Sequence, residues 1–130
     1  MAKSLRERML ANCQKPRKTD TVNAGELLDG ETVTVVQWTS GQRDQFDKLL
    51  SKERLKESEA LKNKEEYKAT ASLRAVAVRV SVVDPETLEQ VFTDEDLPLL
   101  ENANQTDMNR IYQAAISLNP LIDIDAAAKN

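Results

Sequence analysis

Hydrophobic and polar positions follow two different periods along the chain, and each period predicts a different element. Valine and threonine dominate the segment from Glu31 to Trp38, which follows the turn signal Asp29-Gly30 and is typical of a β-strand. Thr21-Val22 gives a weaker indication of a partner strand. Apolar residues of segment 106–118 recur every three or four positions, which is typical of an amphipathic helix. The pattern therefore predicts a mainly α domain with a small β element.

A long charged helix is predicted to begin directly after the strand. The Thr39 hydroxyl can accept a hydrogen bond from the third helical amide, while the Gln42 side chain reaches back to the amide of Thr39, as in a capping box. Lysine and glutamate dominate segment 52–68 and often lie three or four positions apart, where opposite charges stabilise a helix. Two interpretations stay open: a solvated helix surface, or a charged arm that contacts another subunit or partner.

Segment 71–84 fits both the two-residue period of a strand and the three-to-four-residue period of a helix. Valine occupies every second position from 76 to 82, as in a strand, while apolar residues also recur at helical spacing from Leu73 to Val83. We favour the helix because no glycine or proline lies between Gly41 and Pro85 to break the preceding helix. Asp84 then ends it, because a following proline disfavours helical geometry.

Two further helices are predicted from shorter stretches of sequence. Segment 4–10 can form a short amphipathic helix near the start of the chain. Thr93 is predicted to begin another helix, with Asp96 as its capping partner. Phe92, just before this cap, can pack against Leu97 as a hydrophobic staple.

Composition supports a helical fold and a single domain over residues 1–130. A chain of 130 residues can bury one modest core. Hydrophobic residues make up 40% of the chain but aromatic residues only 4%, so leucine, valine, isoleucine and alanine must build the core. Three glycines and four prolines leave little room for a turn-rich β-sandwich. We therefore expect a compact helical domain with one long charged helix.

The net charge and the single cysteine limit which kinds of partner and which cell compartment are expected. The net charge is −4, and the basic cluster at 15–18 lies in a predicted loop, so we expect neither nucleic acid nor membrane as a partner. No apolar run approaches the roughly 20 residues of a membrane span. Cys13 is the only cysteine, which excludes an internal disulfide and fits a reducing compartment. The charged first ten residues do not fit a signal peptide, so a cytosolic protein is expected.

Residue types needed for common catalytic sites are missing from the sequence. Without histidine and with one cysteine, the chain cannot assemble the usual zinc sites or a histidine-based triad. The three glycines are isolated, and none forms a phosphate-binding loop. Acidic pairs such as Asp94 and Asp96 lack the spacing of a calcium loop. We therefore expect no enzyme activity and assign no catalytic, metal or cofactor-binding residues.

The order of several segments carries a resemblance to a viral family. These segments are 33–46, 80–84 and 91–97, followed by Asn109-Arg110-Ile111-Tyr112 and Ser117-Leu118-Asn119. In this order they resemble the tail assembly chaperones of long-tailed bacteriophages (siphoviruses) over roughly residues 31–121.

The resemblance implies a function in the assembly of the phage tail. Such a chaperone would bind the tape measure protein and keep it soluble in the host bacterial cytoplasm, and it would be absent from the mature virion. The family commonly makes a longer product by ribosomal frameshifting, and that product would recruit the tail tube protein. The present chain would be the short form.

The apolar chain ends are candidate contacts for self-association or partner binding, because they lie outside the best-defined core helices. They can either bridge neighbouring subunits or tuck back onto their own domain. An alternative function is a non-catalytic helical adaptor or regulatory protein that homo-oligomerises, and a structural virion component is a third. The candidate contact residues are Leu5, Met9, Leu10, Leu121, Ile122 and Ile124.

Overall fold

The computed structural model describes residues 4–67 and 71–121 of the chain. It confirms a mainly helical fold with a small antiparallel sheet. Short 3-10 turns occupy Gly25–Leu28 and Asp94–Asp96. The remaining elements, in chain order, are α1 Leu5–Cys13, β1 Thr19–Asn23, β2 Thr32–Val36, α2 Ser40–Lys62, α3 Leu73–Ser81, β3 Val82–Val83, α4 Leu97–Glu101 and α5 Gln105–Leu118.

The sheet has β2 in its centre, with β1 and β3 paired antiparallel to its two edges. Thr19 lies opposite Val36, and Asn23 lies opposite Thr32, which confirms the predicted ribbon at Thr21-Val22. The third strand differs from the prediction, which places Val82 and Val83 in the preceding helix, whereas they pair with Val35 and Thr34 of β2. The chain instead leaves helical geometry after Ser81.

Helix α3 lies in the centre of the core. All seven residues from Ala75 to Ser81 are buried, and the helix contacts α2, α4 and α5. A helix that is surrounded in this way needs apolar residues on every face. The alternating valines that suggested a strand therefore reflect burial on several sides, and the predicted helix is correct for residues 73–81.

Helix α2 does not continue into α3, contrary to the expectation based on the absence of glycine and proline. Helix α2 ends at Lys62, not at Lys68 or beyond, although no glycine or proline is present. Lys64 adopts a left-handed φ of 56°, and its N–H donates to the Leu61 carbonyl at 3.2 Å. The N–H of Glu65 donates to the Ala60 carbonyl at 2.8 Å, so a Schellman turn ends the helix with lysine where glycine is usual. Helical structure resumes with α3, which has its own N-cap residue, Ser72.

The predicted capping box of α2 is confirmed. The N–H of Gln42 donates to the Thr39 hydroxyl, and the N–H of Thr39 donates to the Gln42 amide oxygen, both at 3.1 Å. Near the second predicted cap, the Asp96 carboxylate accepts from the N–H of Thr93 at 2.8 Å. The chain forms a 3-10 turn there, and the α-helix itself begins only at Leu97.

Helix α5 is fixed to the sheet by a buried asparagine at its C-terminal end. The Asn119 amide nitrogen donates to the carbonyls of Val36 at 3.0 Å and Ala115 at 3.1 Å. Its amide oxygen accepts from the N–H of Trp38 at 2.7 Å. On the core side of the same helix Ile111 is buried, as its regular apolar stripe predicted.

Candidate interaction surface

An apolar groove of 610 Å³ lies between the β1–β2 turn and the segment that follows β3. Its floor consists of residues that also belong to the core, among them Val78, Met108 and Ile111. One wall is formed by Leu27 and Leu28 of the 25–28 turn. The opposite wall includes Pro85, Val91 and Phe92. We refer to this feature as the apolar groove.

The walls of the apolar groove leave large hydrophobic side chains in contact with water. Leu27 is 41% exposed, Leu28 is 38% exposed and Val91 is 55% exposed. Exposed apolar side chains that line a concave site and continue into the core are typical of a binding surface. The apolar groove is therefore a candidate site for an apolar partner.

An aspartate on α5 holds the 25–28 turn in place. The Asp107 carboxylate accepts a hydrogen bond from the N–H of Glu26 at 2.9 Å and another from the Asn104 amide at 2.8 Å. The Arg110 guanidinium lies 3.2 Å from the same carboxylate. The Asn104 hydrogen bond, together with the Glu26 N–H and the Arg110 charge, lowers the pKa of Asp107. The carboxylate is therefore charged at neutral pH and fixes the Leu27–Leu28 wall.

Gly25 makes this arrangement possible. Its φ of 61° lies in the left-handed region, and a Cβ at this position would lie 2.0 Å from Oδ1 of Asp107. Its N–H donates to the side-chain oxygen of Asn23 at 2.6 Å. Any larger residue would both strain the turn and displace the aspartate.

A second aspartate organises the opposite wall. The Asp84 carboxylate accepts from the N–H of Glu86 at 2.8 Å and from the N–H of Thr87 at 3.1 Å. The Thr87 and Glu86 hydrogen bonds lower the pKa of Asp84. This turn brings Gln90 back into a bridge with Val83 and so places Val91 beside the groove. Each wall is therefore a turn that is fixed by an ionised carboxylate.

The surroundings of the apolar groove are acidic. Most residues that line it come from segments 19–42 and 80–109. The first segment contains four acidic residues and the second contains eight, while Arg79 and Arg110, which flank the second segment, are paired with Asp94 and Asp107. The groove thus combines an apolar floor with a negatively charged environment, which favours a partner that is both apolar and basic.

Helix α1 presents the opposite combination. Ser4 caps it by accepting from the N–H of Glu7 at 3.1 Å, and none of its residues is buried. Leu5 is 66% exposed, Met9 is 59% exposed and Leu10 is 48% exposed. Segment 4–18 carries five basic residues and one acidic residue. The α1 helix is therefore an unpartnered apolar surface with a positive charge.

The structure separates the predicted contact residues into different environments. Leu5, Met9 and Leu10 lie together on exposed α1, whereas Leu121 is partly buried against the core. Ile122 and Ile124 lie outside the described residues. The groove was not predicted, although Leu27 and Leu28 beside the Asp29-Gly30 turn were its signal in the sequence.

Within residues 4–67 and 71–121, no group of three or more His, Cys, Asp or Glu side chains is placed to hold a metal ion. Over the same ranges, no helix is both long enough and apolar enough to cross a bilayer. No protein-family model, curated protein or solved structure matches the chain significantly.

Proposed function

We propose that this protein is a tail assembly chaperone of a long-tailed bacteriophage, which binds the tape measure protein and keeps it soluble during tail assembly. The observation that carries the proposal is the presence of two separate unpartnered apolar surfaces, the apolar groove and α1, on one charged domain. A protein that coats a long apolar partner needs surfaces of this kind in every copy, for contacts with the partner and with the next copy.

The segments that carry the family resemblance also meet at the apolar groove. Val33 comes from the first of these segments, Val82 from the second, and Val91 and Phe92 from the third. Residues far apart in the sequence thus contribute to one surface. This convergence supports the groove as the functional part of the domain.

The exposed half of α2 suits a protein that must keep an apolar partner in solution. Between Lys52 and Lys62 only Glu53 is buried, and the other charged side chains face water. Mixed charges of this density oppose the association of neighbouring complexes. The surface therefore supports the solubilising role, and within one subunit it has the character of a solvated helix.

The other properties of the proposed function follow from the family resemblance. The chain is the short form, and a longer frameshifted product brings the tail tube protein to the tape measure protein. Both forms act in the host bacterial cytoplasm, without catalysis or a cofactor, and leave before the virion is complete. We further propose that the chain self-associates on its partner.

Co-expression with the tape measure protein of the same phage tests the proposal. We expect the tape measure protein to be soluble with this chain and insoluble without it. The matched control is the Ile111→Asp variant, because a charge at this buried position disrupts the core. A tape measure protein that stays insoluble with the wild-type chain, or dissolves equally well without it, contradicts the proposal.

A helical adaptor that homo-oligomerises without a tape measure partner is the second candidate. The same pair of surfaces favours it, because a groove and an exposed helix are sufficient for self-association. The two functions differ in one outcome of the co-expression experiment. An adaptor would self-associate but leave the solubility of the tape measure protein unchanged.

A further inference from the structure

We propose that the apolar groove binds a short amphipathic helix of the partner, with lysine or arginine on both flanks of the helix's apolar face. The inference rests on the proposed function, in which that partner is the tape measure protein. It adds the backbone form and the charge of the segment that enters the groove. Contact is then made at discrete segments of the partner that carry this pattern.

The interior of the apolar groove suits the side chains of one helix face. Its floor is formed by the buried residues Val78, Met108 and Ile111. Its volume of 610 Å³ lies within the range of about 300–1,000 Å³ typical of sites that enclose apolar ligands. On a helix, residues three, four and seven positions apart share one face and enter a groove together. The floor can thus receive the apolar side chains of one such face.

The backbone of the groove walls favours a helix over an extended segment. An extended segment binds by adding main-chain hydrogen bonds to a free sheet edge. On one wall, the N–H of Leu27 already donates to the Ala24 carbonyl at 3.2 Å. On the opposite wall, the N–H of Val91 donates to the Val82 carbonyl at 3.1 Å. Because a helix pairs its own backbone groups, it needs neither of these donors.

Two acidic residues flank the leucines of the first wall. Glu26 directly precedes Leu27, Asp29 directly follows Leu28, and both acidic residues are exposed. They line a polar hollow of 930 Å³ that shares the 25–28 turn with the apolar groove. Among the described residues, neither carboxylate is paired with a lysine or an arginine. Both charges can therefore attract a cation of the partner.

The opposite wall is acidic as well. The Asp84 carboxylate accepts from two backbone N–H groups, and the residue lines the groove. The Arg79 guanidinium lies 3.0 Å from the Asp94 carboxylate. That of Arg110 lies 3.2 Å from the Asp107 carboxylate, so both arginines are already paired. Negative charge on both walls favours cations on both flanks of the bound helix.

Fluorescence anisotropy with designed peptides tests the form and the charge of the ligand. The first peptide is about 18 residues long, with leucines at helical spacing and lysines on both flanks of the leucine face. In the second peptide glutamate replaces each lysine, and in the third the same residues are reordered so that the leucines share no face. We expect the first peptide to bind about tenfold or more tightly than either control. Equal binding of the first peptide and either control overturns the proposal.

A pair of substitutions locates this binding at the apolar groove. Leu28→Asn/Val91→Asn places a neutral polar residue on each wall and should weaken binding of the lysine peptide by about tenfold or more. Leu55→Asn/Leu61→Asn is the matched control, because these α2 residues are 59% and 71% exposed and lie outside the groove. The control should bind as the wild type does, and circular dichroism should show wild-type helix content in both variants. Equal losses in the two variants overturn the proposal.

A second pair of variants tests the acidic wall. Glu26→Gln/Asp29→Asn should weaken binding of the lysine peptide by about threefold or more and leave that of the glutamate peptide no weaker. Asparagine suits position 29, where φ is 50°. Glu57→Gln/Glu59→Gln, at exposed positions on α2, removes the same charge and should have little effect. Equal effects of the two variants would show that only the net charge of the chain matters, which contradicts the proposal.

The Leu5→Asp/Met9→Asp variant tests whether α1 of a second copy fills the groove instead. Equal binding of the lysine peptide by this variant and the wild type supports the proposal. Tight binding by the variant alone would assign the groove to α1 and overturn it.

Co-expression with the tape measure protein separates the inference from the proposed function. We expect the tape measure protein to be insoluble with Leu28→Asn/Val91→Asn and soluble with Leu55→Asn/Leu61→Asn. A tape measure protein that is soluble with both variants overturns the inference and leaves the proposed function intact. One that stays insoluble with the wild-type chain contradicts the proposed function, while the peptide measurements still decide whether the groove binds a basic amphipathic helix.

Discussion

The Asp107 carboxylate on α5 accepts a hydrogen bond from the backbone N–H of Glu26 at 2.9 Å, across 81 positions of the chain. This contact fastens the turn between two strands to the helix behind it. Because Leu27 and Leu28 follow directly, the bond also sets one wall of the apolar groove. Substitutions at this contact should therefore alter the shape of the groove without disrupting the hydrophobic core.

Gly25→Ala should destabilise the domain by about 1–3 kcal/mol, because the position has a left-handed φ and its Cβ would collide with Asp107. The free energy of unfolding in urea measures the loss. Gly30→Ala separates the two causes: its φ is 86° but no atom lies within 4 Å of the added Cβ, so only backbone strain of roughly 1–2 kcal/mol is expected.

Gly41→Ala is the matched control for both substitutions. Gly41 lies in the first turn of α2, where an added Cβ meets ordinary van der Waals space. Alanine should be neutral there or stabilise the helix by roughly 0.5–1 kcal/mol. A Gly25→Ala protein as stable as Gly41→Ala would show that Asp107 does not hold the turn tightly.

The free energy of unfolding should also decrease in acid, because the Asp107 carboxylate becomes protonated. The pKa of Asp107 is lowered in the folded state, so its contribution is complete above the ordinary value of 3.8 and is lost as the pH falls through the lowered pKa. Urea unfolding between about pH 5 and pH 2 follows this loss. Asp107→Asn should be less stable at pH 5 and should show a shallower decline, since the amide cannot titrate. An unchanged slope in Asp107→Asn would assign the acid dependence to other groups, such as Asp84.

Asn119→Ala should lower the free energy of unfolding by about 1–3 kcal/mol, although the side chain is polar and lies just beyond the last helix. Its amide satisfies the Val36 carbonyl and the Trp38 N–H, and alanine would leave these groups without that partner. Gln113→Ala, at an exposed position on the same helix, should change the free energy of unfolding by less than about 0.5 kcal/mol. Equal values for the two variants would mean that water replaces Asn119 at no cost.

The hydroxyl of Tyr67 should ionise at an unusually high pH. Desolvation, the hydrogen bond that its hydroxyl donates to Glu53 and the negative charges of Glu53, Glu57 and Glu101 raise its pKa to about 12 from 10.0. Because the pKa is raised, the related stability is complete below pH 10 and is lost as the pH rises toward 12. Phenolate absorbance measures this pKa, and Tyr67→Phe identifies its signal. Glu53→Gln removes one charge and should move the pKa of Tyr67 toward 10. A wild-type pKa near 10 would contradict the contact.

The sequence was sufficient to predict most elements whose signals are local. The capping box at Thr39 and the strand from Thr32 to Val36 depend on neighbouring residues and were predicted correctly. The end of α2 was missed because Lys64 adopts a left-handed conformation that the sequence does not favour. Helix α3 packs against α2, α4 and α5, and contacts between such distant segments are not encoded by a local pattern.

The candidate site was less predictable because its walls come from distant segments. Leu27 and Val91 both lie beside turns, and neither residue alone distinguishes a surface loop from a groove wall. Their proximity depends on the contact between Asp107 and Glu26, which no local pattern encodes. The exposed side of α1, in contrast, was predicted as a candidate contact surface from Leu5, Met9 and Leu10.

If many copies of this chain coat the tape measure protein along its length, as proposed, the number of bound copies must depend on that length. The most direct test is the stoichiometry of purified complexes, measured by light scattering, for the full-length tape measure protein and for one with half of its central region deleted. We expect the number of bound chaperone copies to fall in proportion to the length removed. A number that stays constant, or a single copy on both proteins, would contradict a coating role.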